Sequence, residues 1–142
     1  MIAFDVGGVI SKYPDTCRNL IGALIRGGHD VCVITDQHDH NEVCRTLTAN
    51  LLLPPLRPEH VYCADYETYG DACKAVLMRR LGVTVLVDDH PGYTVWPWPE
   101  PAPLRLLVQP DVRRPYWAPE WRCEGGEFGR RVYLGEWAGG DT

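Results

Sequence analysis

Val31-Cys32-Val33-Ile34-Thr35-Asp36 is a run of four apolar residues, three of them β-branched, closed by a hydroxyl and a carboxylate. A run that is apolar at every position, and not at alternate ones, belongs to a strand buried on both faces of its sheet. Such a sheet needs helices above and below it, and the flanking sequence supplies them. Upstream, Asp15 to Arg26 places Leu20, Ile21, Leu24 and Ile25 at helical spacing, with Asp15 as cap and Gly27-Gly28 as stop. Downstream, His40 to Leu52 reads as a second helix.

The same alternation continues outward. Ile2 to Phe4, Val61 to Cys63, Val83 to Val87 and Leu104 to Val108 are further apolar runs, and Tyr69 to Leu81, stopped by Gly82, is a further helix-length segment. Strands alternating with amphipathic helices predict an α/β chain with a doubly wound parallel sheet of about five strands. Prolines at 91, 97, 99, 101 and 103 interrupt the pattern and predict an extended, tryptophan-bearing loop before the last strand. Length and layout predict one domain, with residues 1–112 forming the α/β body. Residues 113–142 read as an irregular tail packed on that body, with a strand at Arg131 to Leu134. Its Trp117, Trp121 and Trp137 are expected at the sheet edge or at a lip of the cleft.

Composition narrows the function. The formal charge is −5, so there is no basic field for nucleic acid, although Arg79-Arg80, Arg113-Arg114 and Arg130-Arg131 leave such a partner possible but unsupported. Six cysteines without a Cys-x-x-Cys pair, several inside strand- or helix-like runs, read as reduced and mostly buried thiols. The sequence from Met1 has no leader pattern and no stretch long enough to span a bilayer, which makes the expected location cytoplasmic and away from membranes.

In an open α/β sheet, ligands bind beyond the carboxyl ends of the strands. The residues just after the apolar runs are Asp5, Thr35-Asp36, Asp65 and Asp88-Asp89. Carboxylates and a hydroxyl brought to one edge by separate strands are poor fold stabilisers and suitable ligands for Mg²⁺, which prefers oxygen and leaves room for phosphate. Each residue taken singly has a plainer reading as a turn or helix cap; the set in this order favours function. A zinc reading of His38, His40 and Cys44 is weaker, because no second ligand cluster accompanies them.

Four of these segments carry a resemblance. Ile2-Ala3-Phe4-Asp5-Val6-Gly7-Gly8-Val9-Ile10 resembles the first motif of the haloacid dehalogenase (HAD) superfamily, and Val31 to Asp36 is similar to its second. Lys74 matches the third, and Val85-Leu86-Val87-Asp88-Asp89 the fourth. The resemblance covers about residues 1 to 90. It implies a Rossmann-like core; the short connections leave no room for an inserted cap domain.

The resemblance also implies chemistry: a Mg²⁺-dependent phosphomonoester hydrolase in which Asp5 attacks phosphorus and forms an aspartyl-phosphate. Asp5, the Gly7 carbonyl, Asp88 and Asp89 would hold the metal; Thr35, Asp36 and Lys74 would line the phosphate site, with Asp5 and Lys74 as the catalytic pair. The substrate would be a phosphorylated small molecule or macromolecule. One departure stands out: Gly7 occupies the place where most phosphatases of the family carry an aspartate that protonates the leaving group. His38 and His90 are the substitutes at hand. The rivals are a non-catalytic binding or regulatory module of the same fold, which Gly7 favours, and a phosphatase acting on nucleic-acid ends.

Overall fold

The fold is described from a computed structural model, for residues 1–90, 93 and 103–108 and for the backbone of 121–124 and 130–133. Five parallel strands, β1 (Ile2–Phe4), β2 (Val31–Thr35), β3 (Val61–Cys63), β4 (Val85–Asp88) and β5 (Leu104–Leu107), form one sheet in the order β3-β2-β1-β4-β5. This is the expected α/β sheet.

Every residue of β2 is buried, and the strand pleat sends alternate side chains into two separate cores. Phe4, Val31 and Val33 join Ile21, Val43 and Leu47 on one face. Those three come from α1 (Pro14–Arg26) and α2 (His40–Ala49). Ala3, Cys32, Ile34 and Leu86 join Cys73 and Met78 on the other. There α4 (Cys73–Leu81) covers the sheet.

Local chemistry shifts several expected boundaries. Asp15 does not cap α1: Tyr13 stands at the N-cap and Pro14 opens the helix, where its fixed φ and missing N–H cost nothing. Asp15 lies in the first turn and pairs with Arg18 at 3.0 Å. The helix read from His40 to Leu52 stops at Ala49, and Asn50 Nδ2 donates to Thr46 O at 2.9 Å. The segment read as one helix from Tyr69 to Leu81 is broken: α3 (Tyr66–Tyr69) ends at Gly70, whose φ of +55° with ψ −136° strongly favours glycine, and a tight turn over Gly70–Ala72 leads into α4. Gly82, at φ +68°, stops α4 as expected.

In the tail, β6 (Trp121–Glu124) pairs antiparallel with β7 (Arg130–Tyr133). The strand read at Arg131 to Leu134 is therefore present one residue earlier, and its partner went unread. The proline-rich loop, apart from Tyr93 and Pro103, and the packing of the tail on the body lie outside the described residues. No helix among the described residues is long and apolar enough to cross a membrane.

Candidate metal and phosphate site

The strand order reverses direction around β1, which lies between β2 and β4. Neighbouring parallel strands whose connections leave in opposite directions open a crevice at their carboxyl ends. Asp5 follows β1 there and Asp88 ends β4, with Asp5 N donating to Val87 O at 2.9 Å. Asp89 is the next residue and is half-buried. Ligand oxygens of Asp5, Asp88 and Asp89 lie within 4.8 Å of one another, and among the described residues no other group of three acidic, histidine or cysteine side chains is so arranged.

After Asp5 the chain makes a wide turn, closed by Ser11 N donating to Val6 O at 2.9 Å. Gly8 occupies φ +69° in this turn, and a β-carbon there would overlap the Asp89 carboxylate. Gly7 has an ordinary backbone, φ −65° and ψ 131°. A β-carbon at Gly7 would meet only Asp5 Oδ2, at 3.9 Å.

Lys74 projects from the first turn of α4 into this crevice and is 1% exposed. Its ammonium lies 2.8 Å from Asp5 Oδ1 and donates to Asp88 Oδ2 at 2.6 Å. Asp88 Oδ1 accepts from His90 N at 2.8 Å. Burial opposes the charge on Lys74, but Asp5, Asp88 and Asp36 together overcome it and hold its pKa above the ordinary value. Burial pushes Asp5 up to about 7 against the pull of Lys74, with Asp88 adding repulsion. Asp88 is raised for the same leading reason. Asp5 and Asp88 share one ammonium with Asp89 close beside them, and a divalent cation would relieve that excess charge.

No family model, curated protein or solved structure matches the chain.

The remaining expected residues divide into two groups. Thr35 is fully buried at the end of β2 and its Oγ1 accepts from Gln37 N at 3.3 Å, which leaves the hydroxyl proton to donate. Asp36 adjoins it, half-buried, with Oδ2 accepting from the Tyr93 hydroxyl at 2.9 Å. Asp65 is not brought in: it is exposed and caps α3, accepting from Thr68 N at 3.0 Å, which holds its carboxyl below the ordinary value. His38 is exposed and acts electrostatically on Asp65. His90 does reach the crevice, its ring 4.5 Å from that of Tyr93. For the zinc reading, His40 and Cys44 do meet, Sγ 3.7 Å from Nδ1, but among the described residues no third ligand joins them and His40 Nε2 is engaged with Pro58 O at 3.0 Å.

The thiols accord with the reduced reading: Cys17, Cys32, Cys44, Cys63 and Cys73 are all free, and three of these are buried. Tyr93 is the residue that sequence reasoning missed. It lies within the proline-rich segment, where no periodicity marks a buried aromatic.

Proposed function

We propose that the protein is a Mg²⁺-dependent phosphomonoester hydrolase of the HAD type, working through an aspartyl-phosphate on Asp5. The observation that carries this reading is the Lys74 ammonium bridging Asp5 and Asp88 while Asp89 completes an oxygen cluster at the strand switch point. One α-helix and one short turn connect β1 to β2, and likewise β2 to β3, which supports a cleft without a cap and a substrate that brings its own bulk.

The donors fit the ion: they are hard carboxylate oxygens carrying more charge than one ammonium balances, and the glycine beside Asp89 leaves its carboxylate room. Bound Mg²⁺, held by Asp5, Asp88, Asp89 and the Gly7 carbonyl, would neutralise the phosphate and the attacking carboxylate.

Asp5 uses one carboxylate oxygen on phosphorus while Oδ1 stays oriented by Lys74. Lys74 and the Thr35 hydroxyl offer donors to the phosphoryl oxygens, where charge spreads as the ester bond breaks. Position 7 has no side chain to protonate the departing alkoxide, which takes its proton from solvent water. Water then attacks the phosphorus of the aspartyl-phosphate, releasing phosphate and restoring Asp5.

The test is hydrolysis of an activated aryl phosphate with and without Mg²⁺. Turnover that needs Mg²⁺ and is lost in Asp5→Asn supports the reading. Absence of turnover with phosphate still bound favours the second reading, a binding module, for which the missing side chain at Gly7 is the specific observation.

A further inference from the structure

An ammonium as buried as that of Lys74 has lost its water, and neighbouring groups must stand in for it. Two are the carboxylates of Asp5 and Asp88. A third is the face of Tyr93, whose ring centroid lies 4.4 Å from Nζ. A cation over an aromatic face is attracted to it, more strongly when both are desolvated.

Tyr93 is itself held from several directions. Its hydroxyl donates to Asp36 Oδ2 at 2.9 Å, the Cys73 thiol donates to its oxygen at 3.9 Å, and the His90 ring packs 4.5 Å away at 35°. Burial and the charge of Asp36 raise its pKa, so the phenol stays protonated and remains a donor.

The hydroxyl matters because of where Asp36 stands. It is next to Thr35, and its charge is felt at both Asp5 and Lys74. A loose carboxylate beside a phosphate-binding hydroxyl would repel the anion that the pocket receives. The hydrogen bond from Tyr93 restrains that carboxylate and draws off part of its charge.

We infer that Tyr93 is a positioning residue with two separable actions: its hydroxyl restrains Asp36 so that a phosphate can enter, and its ring seats the Lys74 ammonium. The inference rests on the phosphatase reading above. It goes beyond that reading in explaining why an acidic residue adjoins an anion pocket.

The experiment compares Tyr93→Phe, Tyr93→Leu, Asp36→Asn and the double variant Asp36→Asn/Tyr93→Phe, measuring KM and kcat on an activated aryl phosphate in Mg²⁺. Inorganic phosphate affinity by calorimetry and far-UV dichroism accompany these. Tyr93→Phe keeps the ring, so KM and the phosphate Kd rise about five- to tenfold with kcat within about twofold. In an Asp36→Asn background the same Tyr93→Phe change moves KM and Kd by less than about twofold, because a neutral amide does not repel the anion. Tyr93→Leu, if folded, also lowers kcat by about tenfold.

An unchanged KM and Kd in Tyr93→Phe, or a rise of the same size in the Asp36→Asn background, overturns the inference and leaves the phosphatase reading intact. A natural chain that binds phosphate without turnover is judged on Kd alone, by the same criterion. A natural chain that neither hydrolyses the ester nor binds phosphate overturns the reading, and the inference with it.

Discussion

Gly8 and Asp89 share one small space. The backbone of Gly8, at φ +69°, lies so close to the Asp89 carboxylate that a β-carbon and the carboxylate cannot both be there. Gly8→Ala should therefore turn Asp89 out of the acidic cluster and add about 1 kcal/mol of backbone strain. We expect Mg²⁺ affinity to fall about tenfold, by analogy with other disturbed metal shells, when measured by calorimetry. Unchanged affinity would show that Asp89 is not a ligand.

Lys74→Met should separate charge from packing. Two buried carboxylates would lose their shared cation, which costs about 3–5 kcal/mol when one partner of a buried pair is removed. Urea unfolding at neutral pH without metal should register that loss, and added Mg²⁺ should recover part of it. A variant within about 1 kcal/mol of the natural chain would mean that the carboxylates simply take up protons.

The raised pKa of Asp5 gives a pH dependence with a definite sign. The folded carboxyl titrates at about 7 and the ordinary value is 3.8, so between those limits the folded state holds a proton that the unfolded chain has released. Stability of the metal-free protein therefore falls as pH rises through that window, and the penalty vanishes below it. Mg²⁺ needs the ionised form, so its apparent affinity should weaken about tenfold for each pH unit below about 7. Calorimetric titrations at graded pH check this; a flat profile contradicts it.

Gly7→Asp should be tolerated. The backbone there is ordinary and the added β-carbon meets only Asp5 Oδ2, at 3.9 Å, so stability should change by less than about 1 kcal/mol. If a proton donor is what the natural chain lacks, hydrolysis of unactivated alkyl phosphates should rise by about 10²-fold or more. Equal rates on alkyl esters before and after the substitution would place the donor elsewhere in the cleft.

The sheet was legible because burial on both faces leaves no polar residue inside β2 and none inside β1. Asp5, Thr35 and Asp88 were legible for a related reason, since a polar residue that ends an apolar strand is conspicuous. Lys74 was harder, because nothing in a helical lysine tells a solvated side chain from a buried one; only its place before the acidic strand marked it. Asp65 misled, since a carboxylate after a strand can equally satisfy the first N–H groups of the next helix, as Asp65 does with Thr68 N. The break at Gly70 was hidden because a helix tolerates one glycine. Tyr93 was hidden because prolines around it erase any period.

The sheet register also governs how the site is assembled in time. Ile2 pairs with Val31 on one side and Val85 on the other, 29 and 83 positions away along the chain. Closing such long loops is slow, and a central strand awaiting its neighbours offers bare edges to other chains meanwhile. Asp5 is synthesised long before Asp88, yet the two cannot meet until β4 docks beside β1. The acidic cluster therefore cannot form before β4 is in place, and a nascent chain stalled before residue 85 would carry Asp5 without Asp88 or Asp89.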